Sequence, residues 1–250
     1  MNVYLEKIER IEFIVTMCCT GKCRHSSEGD HSAYHGHIDG AAAAEAVTEV
    51  CRHYNIKSLM TFGGEPLLFP GTVCAIHSAA AKAGIGCREI ITNGYFTKDK
   101  ARIAEVAHML AESGVNRILL SVDAFHQETI PAEPVELFAE RARAEGLPIE
   151  LSPAWLGGRD ADNPYNAETR RLLERFSEKG FGIADGNVIF PKGNALKYLS
   201  DYAESFADIA DPYEEDPRQL HSLCFSADGS VLKGNIYDND IIDIIRDYRP

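Results

Sequence analysis

Cys19 and Cys23 are separated by three residues, and the place three further on holds Ser26. A cysteine there would complete a metal-binding loop. Cys18 stands directly before Cys19. Thiolates are soft donors that suit iron–sulfur clusters, and close spacing lets one loop wrap a cluster corner. Two thiols at this spacing also suit a redox pair, or arise by chance. Three other stretches carry chemistry. F-G-G-E-P at Phe62–Pro66 pairs two glycines, which let a ligand reach the backbone, with a proline that stiffens the exit. T-N-G-Y at Thr92–Tyr95 contains a strong turn dipeptide. S-V-D-A-F-H-Q at Ser121–Gln127 ends an apolar run with a hydroxyl and a carboxylate, groups that bind a ligand hydroxyl or amine. His126, in the same stretch, can act as a general acid or base. Each has a plainer reading: a tight turn, a second turn, a structural histidine.

The elements that must position these residues alternate. Strand patterns run over Ile11–Thr16, Ser58–Phe62, Glu89–Thr92, Arg117–Asp123, Ile149–Trp155 and Asn187–Phe190. Helical patterns run over Ala41–Tyr54, Thr72–Ala83, Lys98–Ser113, Glu133–Glu145 and Ala167–Lys179, several stopping at a glycine. Regular β-then-α steps imply a parallel sheet with crossover helices, either an open doubly wound sheet or a partial barrel. In both, function gathers at the C-terminal ends of the strands, and the unusual motifs fall there. After residue 190 the pattern changes. Cys224–Leu232 reads as a hairpin turning at Asp228-Gly229, and Ile241–Arg246 as a short helix. Residues 191–250 are therefore expected to be a small appendage on a main unit of residues 1–190.

Composition narrows the class. The 250 residues are 45% hydrophobic, with a formal net charge of -13. Such an acidic surface repels phosphate backbones and weighs against extended nucleic-acid binding. No apolar run reaches the roughly 20 residues that cross a bilayer, and the first residues lack the apolar core of a signal peptide. A cytoplasmic protein is expected. Seven cysteines, an odd number, fit a reducing compartment better than a disulfide framework. Cys51, Cys74 and Cys87 read as small apolar residues.

Taken together, the motifs resemble the radical SAM superfamily over nearly the whole chain. That family's signature is Cys-x3-Cys-x2-Cys after the first strand, usually with an aromatic residue before the last Cys. Cys19, Cys23, His25 and Ser26 fall on it. Gly63, Gly64, Glu65 and Pro66 look like the motif that binds the amino group of S-adenosylmethionine, while T-N-G and S-V-D stand where the family places them. The resemblance implies an α/β fold, a partial (β/α)6 TIM-like barrel with a small C-terminal appendage. It implies a 4Fe-4S cluster held by Cys19 and Cys23, with Ser26 in the third ligand position. Gly63, Gly64, Glu65 and Pro66 would meet the methionine end of S-adenosyl-L-methionine, and Asn93, Ser121 and Asp123 its ribose and adenine side. His126 and Gln127 are the catalytic candidates facing substrate. A flavodoxin- or ferredoxin-type electron donor is implied too. Cys224–Tyr237 resembles the start of a SPASM or twitch segment, but its second Cys, expected near Lys233, is absent. No auxiliary cluster is expected. The segment leans toward a peptide or protein substrate; a small molecule is the alternative.

Ser26 bears on activity. A neutral hydroxyl is a poor ligand for iron, so a cluster there is expected to assemble badly or sit at a shifted potential. Four readings stay open: a replaced cysteine, a natural serine with another ligand substituting, a labile cluster, or a non-catalytic S-adenosylmethionine-binding protein. A zinc site using Cys18, Cys19, Cys23 and a histidine is disfavoured, because adjacent cysteines make tetrahedral geometry awkward.

Overall fold

The computed structural model describes residues 2–31 and 33–250. The main sheet runs, in spatial order, β11 (Gly234–Asn235), β10 (Ser230–Val231), β9 (Ser222–Phe225), β1 (Arg10–Thr16), β2 (Ser58–Gly63), β3 (Cys87–Thr92), β4 (Arg117–Leu120), β5 (Ile149–Leu151) and β7 (Gly182–Ile183). The central strands β1 to β5 make seven parallel strands with β7 and β9. β10 and β11 close one edge antiparallel. The sheet curls as a partial barrel and does not close on itself among the described residues.

The crossover helices are α1 (Gly40–His53), α2 (Pro70–Lys82), α3 (Lys100–Glu112), α5 (Ala132–Ala144) and α6 (Pro164–Ser177). Their starts follow local chemistry. Asp39 caps α1 by accepting from Ala41 N and Ala42 N, Asp99 caps α3, and Asn163 caps α6 ahead of Pro164. α1 turns Ala43, Ala46, Val47 and Val50 inward, an i, i+3, i+4, i+7 stripe. No helix among the described residues is long and apolar enough to cross a membrane.

Three expectations need correction. The fourth strand ends at Leu120 rather than Asp123. Asp123 instead caps a short helix, α4 (Ala124–Gln127), accepting from His126 N. The fifth strand, expected as one run to Trp155, breaks at Ser152-Pro153, where proline has no N–H for the ladder. Beyond the break, β6 (Ala154–Trp155) leaves the main sheet and pairs with β8 (Asn187–Val188). The expected sixth strand is thus only Asn187–Val188, on a two-stranded branch, and its place in the main sheet is taken by β7. The hairpin does form, but its first strand also adds in parallel to β1, extending the main sheet. α8 (Ile241–Asp247) packs on α1, and the Asn2 side chain donates to Ile245 O and Tyr248 O, each at 2.8 Å.

Phe13 on β1 and Phe225 on β9 are both fully buried, and their rings stack at 4.6 Å between centroids. Phe225→Ala is expected to cost about 3–5 kcal/mol, the usual range for a phenylalanine cavity in a core. Urea unfolding of the purified chain measures it.

Candidate active site

The cysteine loop leaves β1 under tight control. Thr16 Oγ1 donates to Gly36 O at 2.6 Å and accepts from Cys18 N at 3.0 Å. The loop after β2 runs beneath it: Gly64 N donates to Thr16 O at 2.8 Å and Glu65 N to Cys18 O at 2.7 Å. Both glycines are required by this approach. Gly63 has φ 134, a conformation closed to other residues, and a Cβ on Gly64 would lie 2.6 Å from the Cys18 carbonyl carbon. Sequence reasoning missed the far clamp. Asn194, at the start of α7 (Asn194–Tyr198), donates from Nδ2 to Cys23 O and Gly29 O at 3.0 and 3.2 Å, and from its backbone N to Ser26 O at 2.8 Å. A lone asparagine after a Gly carries no signal of its own.

Cys19 Sγ accepts from Gly21 N at 3.4 Å and Asn93 Nδ2 at 3.6 Å. Burial pushes the Cys19 thiol up to about 11 and the Cys23 thiol further. Both are therefore protonated at neutral pH and must release a proton to bind metal. Ser26 Oγ lies 3.1 Å from His31 Nε2, and His31 Nδ1 lies 2.6 Å from Met17 O.

Glu65 is fully buried, and its carboxylate bonds both within its own loop and to the Thr92–Asn93 turn. Oε1 accepts from Leu67 N at 2.9 Å and Thr92 Oγ1 at 2.7 Å, and Oε2 from Asn93 N at 2.8 Å. Burial raises its pKa to about 7 against these hydrogen bonds. The carboxylate ties the GGEP loop to the TNG turn. Pro66 opens a short 3-10 turn, Pro66–Leu68, behind it.

Asp123 is likewise fully buried. Oδ1 accepts from His126 N at 3.0 Å; Oδ2 accepts from Ala154 N at 3.0 Å and meets His126 Nδ1 at 2.8 Å. Burial opposes the charge on each partner, but their mutual attraction outweighs it, so Asp123 is held below and His126 above the ordinary value. Gln127 Oε1 accepts from Asp123 N at 2.9 Å, bracing the turn. A raised histidine contributes stability below pH ~6.5 that is lost as pH rises through its folded pKa. A lowered aspartate contributes stability above pH ~3.8 that is lost as pH falls through its folded pKa. The pair's contribution is therefore complete between those limits. Asp123→Asn is expected to lower the His126 pKa in an NMR titration of the metal-free chain and to cost about 3 kcal/mol near pH 6.

One cavity of about 430 Å³ collects most of these groups at the C-terminal ends of the strands. Cys19, Cys23, Ser26, Gly63, Gly64, Asn93, Ser121, Asp123 and His126 all line it. Glu65, Pro66 and Gln127 do not; they stand behind the wall and shape it. The cavity continues to Glu12, Glu28 and Cys224 on the far side. Cys224 lies opposite Glu12 in the β9–β1 register, which the one-dimensional pattern could not reveal.

Two thiols, Cys19 and Cys23, and the Ser26 hydroxyl group line the same cavity as Gly63 and Gly64. Two thiols suit a cluster that would be held there, whereas the Ser26 hydroxyl at the third position suits iron poorly. Residues 13–195 match the Radical SAM superfamily model, and the chain belongs to that superfamily. Its members are enzymes that use a 4Fe-4S cluster and S-adenosylmethionine. A GTP 3',8-cyclase of Pelotomaculum thermopropionicum is 26% identical over 129 residues, 51% of this chain and 38% of that protein. One from Clostridium perfringens is 27% identical over 128 residues, 50% and 38% of the two chains. The chain thus spans under two fifths of these relatives. Among solved structures, Streptococcus suis SuiB bound to S-adenosylmethionine superposes with a TM-score of 0.60 at 12% identity, covering 97% of this chain and 66% of that one. Native anSMEcpe with bound AdoMet gives 0.61 at 15% identity, covering 94% and 80%. These likenesses are of fold.

Proposed function

We propose that this chain is a radical SAM enzyme, impaired at one cluster ligand, that acts on a peptide or protein. The observation that carries the reading is that one cavity is lined by Cys19, Cys23 and Ser26 together with Gly63, Gly64, Asn93, Ser121 and Asp123. Cys19 and Cys23 hold the cluster, with Ser26 at the third position. What cluster and S-adenosylmethionine supply together is one-electron cleavage of the sulfonium and abstraction of a substrate hydrogen atom. The exposed backbone of Gly63 and Gly64 receives the methionine end, while Glu65 and Pro66 fix that backbone. Asn93, Ser121 and Asp123 line the nucleoside side. His126 faces substrate, and Gln127 holds Asp123.

Charge favours a peptide over a nucleotide. The cavity's charged groups are largely paired, Glu12 with Arg10, Asp123 with His126 and Lys192 with Asp211, so among the described residues its lining offers a triphosphate no unpaired lysine or arginine. A triphosphate site ordinarily presents such cations. One similar structure, anSMEcpe with AdoMet and the Cp18Cys peptide, binds a peptide on this fold. The GTP cyclase relatives favour the second reading, a small-molecule substrate. Residues 191–250 are read as a SPASM- or twitch-like remnant without a cluster of its own, its single cysteine being Cys224. A reducing cytoplasm fits the free thiols, and the one-electron chemistry proposed calls for a donor of flavodoxin or ferredoxin type.

Anaerobic reconstitution with iron and sulfide tests the reading. Cys19→Ala and Cys23→Ala are each expected to drop bound iron to background, with loss of the brown charge-transfer absorbance. Iron retained in both variants would place the cluster elsewhere.

A further inference from the structure

We propose that His31, through Nε2, supplies the third protein ligand to the cluster, at the corner that Ser26 serves poorly. The inference rests on the reading above, in which Cys19 and Cys23 hold a 4Fe-4S cluster, and it names what completes that cluster in this chain. The Ser26 hydroxyl is a hard neutral donor, whereas imidazole suits iron. Histidine replaces cysteine as an iron ligand in some iron–sulfur clusters.

The loop itself brings His31 to Ser26. After Cys23 the chain makes two tight turns: Ser26 N donates to Cys23 O at 3.3 Å, and Gly29 N donates to Ser26 O at 3.3 Å. Gly29 takes φ 78, the left-handed conformation that suits glycine, and Asn194 Nδ2 holds its carbonyl at 3.2 Å. His31 Nε2 thereby comes to lie 3.1 Å from Ser26 Oγ. Both residues line the cavity with Cys19 and Cys23. The other ring nitrogen is fixed as well, with Nδ1 2.6 Å from Met17 O. A carbonyl only accepts, so Nδ1 carries the hydrogen, and in the neutral ring Nε2 holds the lone pair. A backbone carbonyl on one imidazole nitrogen is the support that metal-bound histidines use to present the other.

The other donors on this loop are engaged elsewhere. Cys18 does not line the cavity, and its Sγ donates to Tyr34 O at 2.7 Å. His25 turns its ring onto those of Phe125 and His126, at 5.0 and 4.9 Å between centroids. His31 in this tautomer binds iron without releasing a proton, unlike the thiols. Its Nε2 lone pair bonds to the metal, and the Ser26 hydroxyl gives up its hydrogen bond to the ring. A neutral imidazole in place of an anionic thiolate leaves the cluster less negative, which raises its reduction potential. A cluster held in this way is a weaker one-electron donor to the sulfonium. The chain therefore loads iron yet reacts slowly, until Ser26→Cys restores a thiolate.

Nitrogen hyperfine coupling is the direct readout. The full chain, carrying isotope-labelled histidine, is reconstituted anaerobically with iron and sulfide and reduced with dithionite. Pulsed electron paramagnetic resonance is recorded without S-adenosylmethionine, whose own amino group would add a nitrogen. The expected result is a strongly coupled histidine nitrogen in the parent chain that is absent from Ser26→Cys. Ser26→Cys also lowers the reduction potential of the cluster. His31→Ala lowers iron and sulfide per chain at least about 10-fold, but leaves both unchanged when added to Ser26→Cys. Circular dichroism confirms that each variant is folded. A residue that only shapes the loop would cost iron in both backgrounds, and that result overturns the inference. A loaded parent cluster with no coupled histidine nitrogen overturns it too. A parent chain that binds no iron while Ser26→Cys loads also overturns it and leaves the enzyme reading standing. Iron in neither chain overturns that reading itself.

Discussion

Gly64→Ala is expected to abolish both S-adenosylmethionine binding and cluster loading. The added Cβ would lie 2.6 Å from the Cys18 carbonyl carbon and 2.9 Å from that of Met17. Both are backbone atoms and cannot swing aside as a side chain does. Relief requires the cysteine loop to lift off the GGEP loop, which also breaks the hydrogen bond from Glu65 N to Cys18 O. Overpacking of this kind costs about 1–3 kcal/mol, more where backbone must move. Isothermal titration of S-adenosylmethionine into the reconstituted variant measures the loss, and urea unfolding the destabilisation. Gly71→Ala is the control: it lies in α2 with no atom near its would-be Cβ. It is expected to stabilise by roughly 0.5–1 kcal/mol, as alanine does in a helix.

Ser26→Cys is expected to have the opposite effect, a gain. The Ser26 backbone is held from both sides, its N donating to Cys23 O at 3.3 Å and its O accepting from Asn194 N at 2.8 Å. A thiol therefore enters the same place on the cavity wall, beside Cys19 and Cys23. Only the ligand changes, from a hard neutral oxygen to a soft thiolate. Partners that merely orient a metal ligand carry about 10–100-fold in affinity or activity. A ligand itself should carry at least that much. Iron and sulfide per chain are expected to rise, with the absorbance of an intact cluster.

Much of this architecture could be read from the sequence because its signals are local. Apolar strands alternating with capped amphipathic helices gave the parallel sheet, and the chemical motifs fell at strand ends as that topology requires. What escaped depends on tertiary context. β7 is a two-residue strand containing glycine, with no pattern to see. The Ser152-Pro153 break was visible as a proline, but the fork it produces depends on Asp123 taking the Ala154 amide. Glu65 looked like a ligand group from its motif, and only the three donors around its carboxylate show that it ties two loops together. Asn194 lies 171 residues from its partner Cys23 and could not be paired with it in one dimension. The pairing of β9 with β1 is of the same long-range kind and brings Cys224 to the cavity.

The measurement that bears most directly on the central claim is release of 5′-deoxyadenosine from S-adenosylmethionine. The parent chain and Ser26→Cys would be reconstituted anaerobically, reduced with dithionite and assayed side by side. Product from the variant at roughly 100-fold or more above the parent rate is the predicted result. It would establish a radical SAM enzyme disabled at its third cluster ligand. No product from either chain, with S-adenosylmethionine still bound, would contradict the account and leave a binding protein of the same fold.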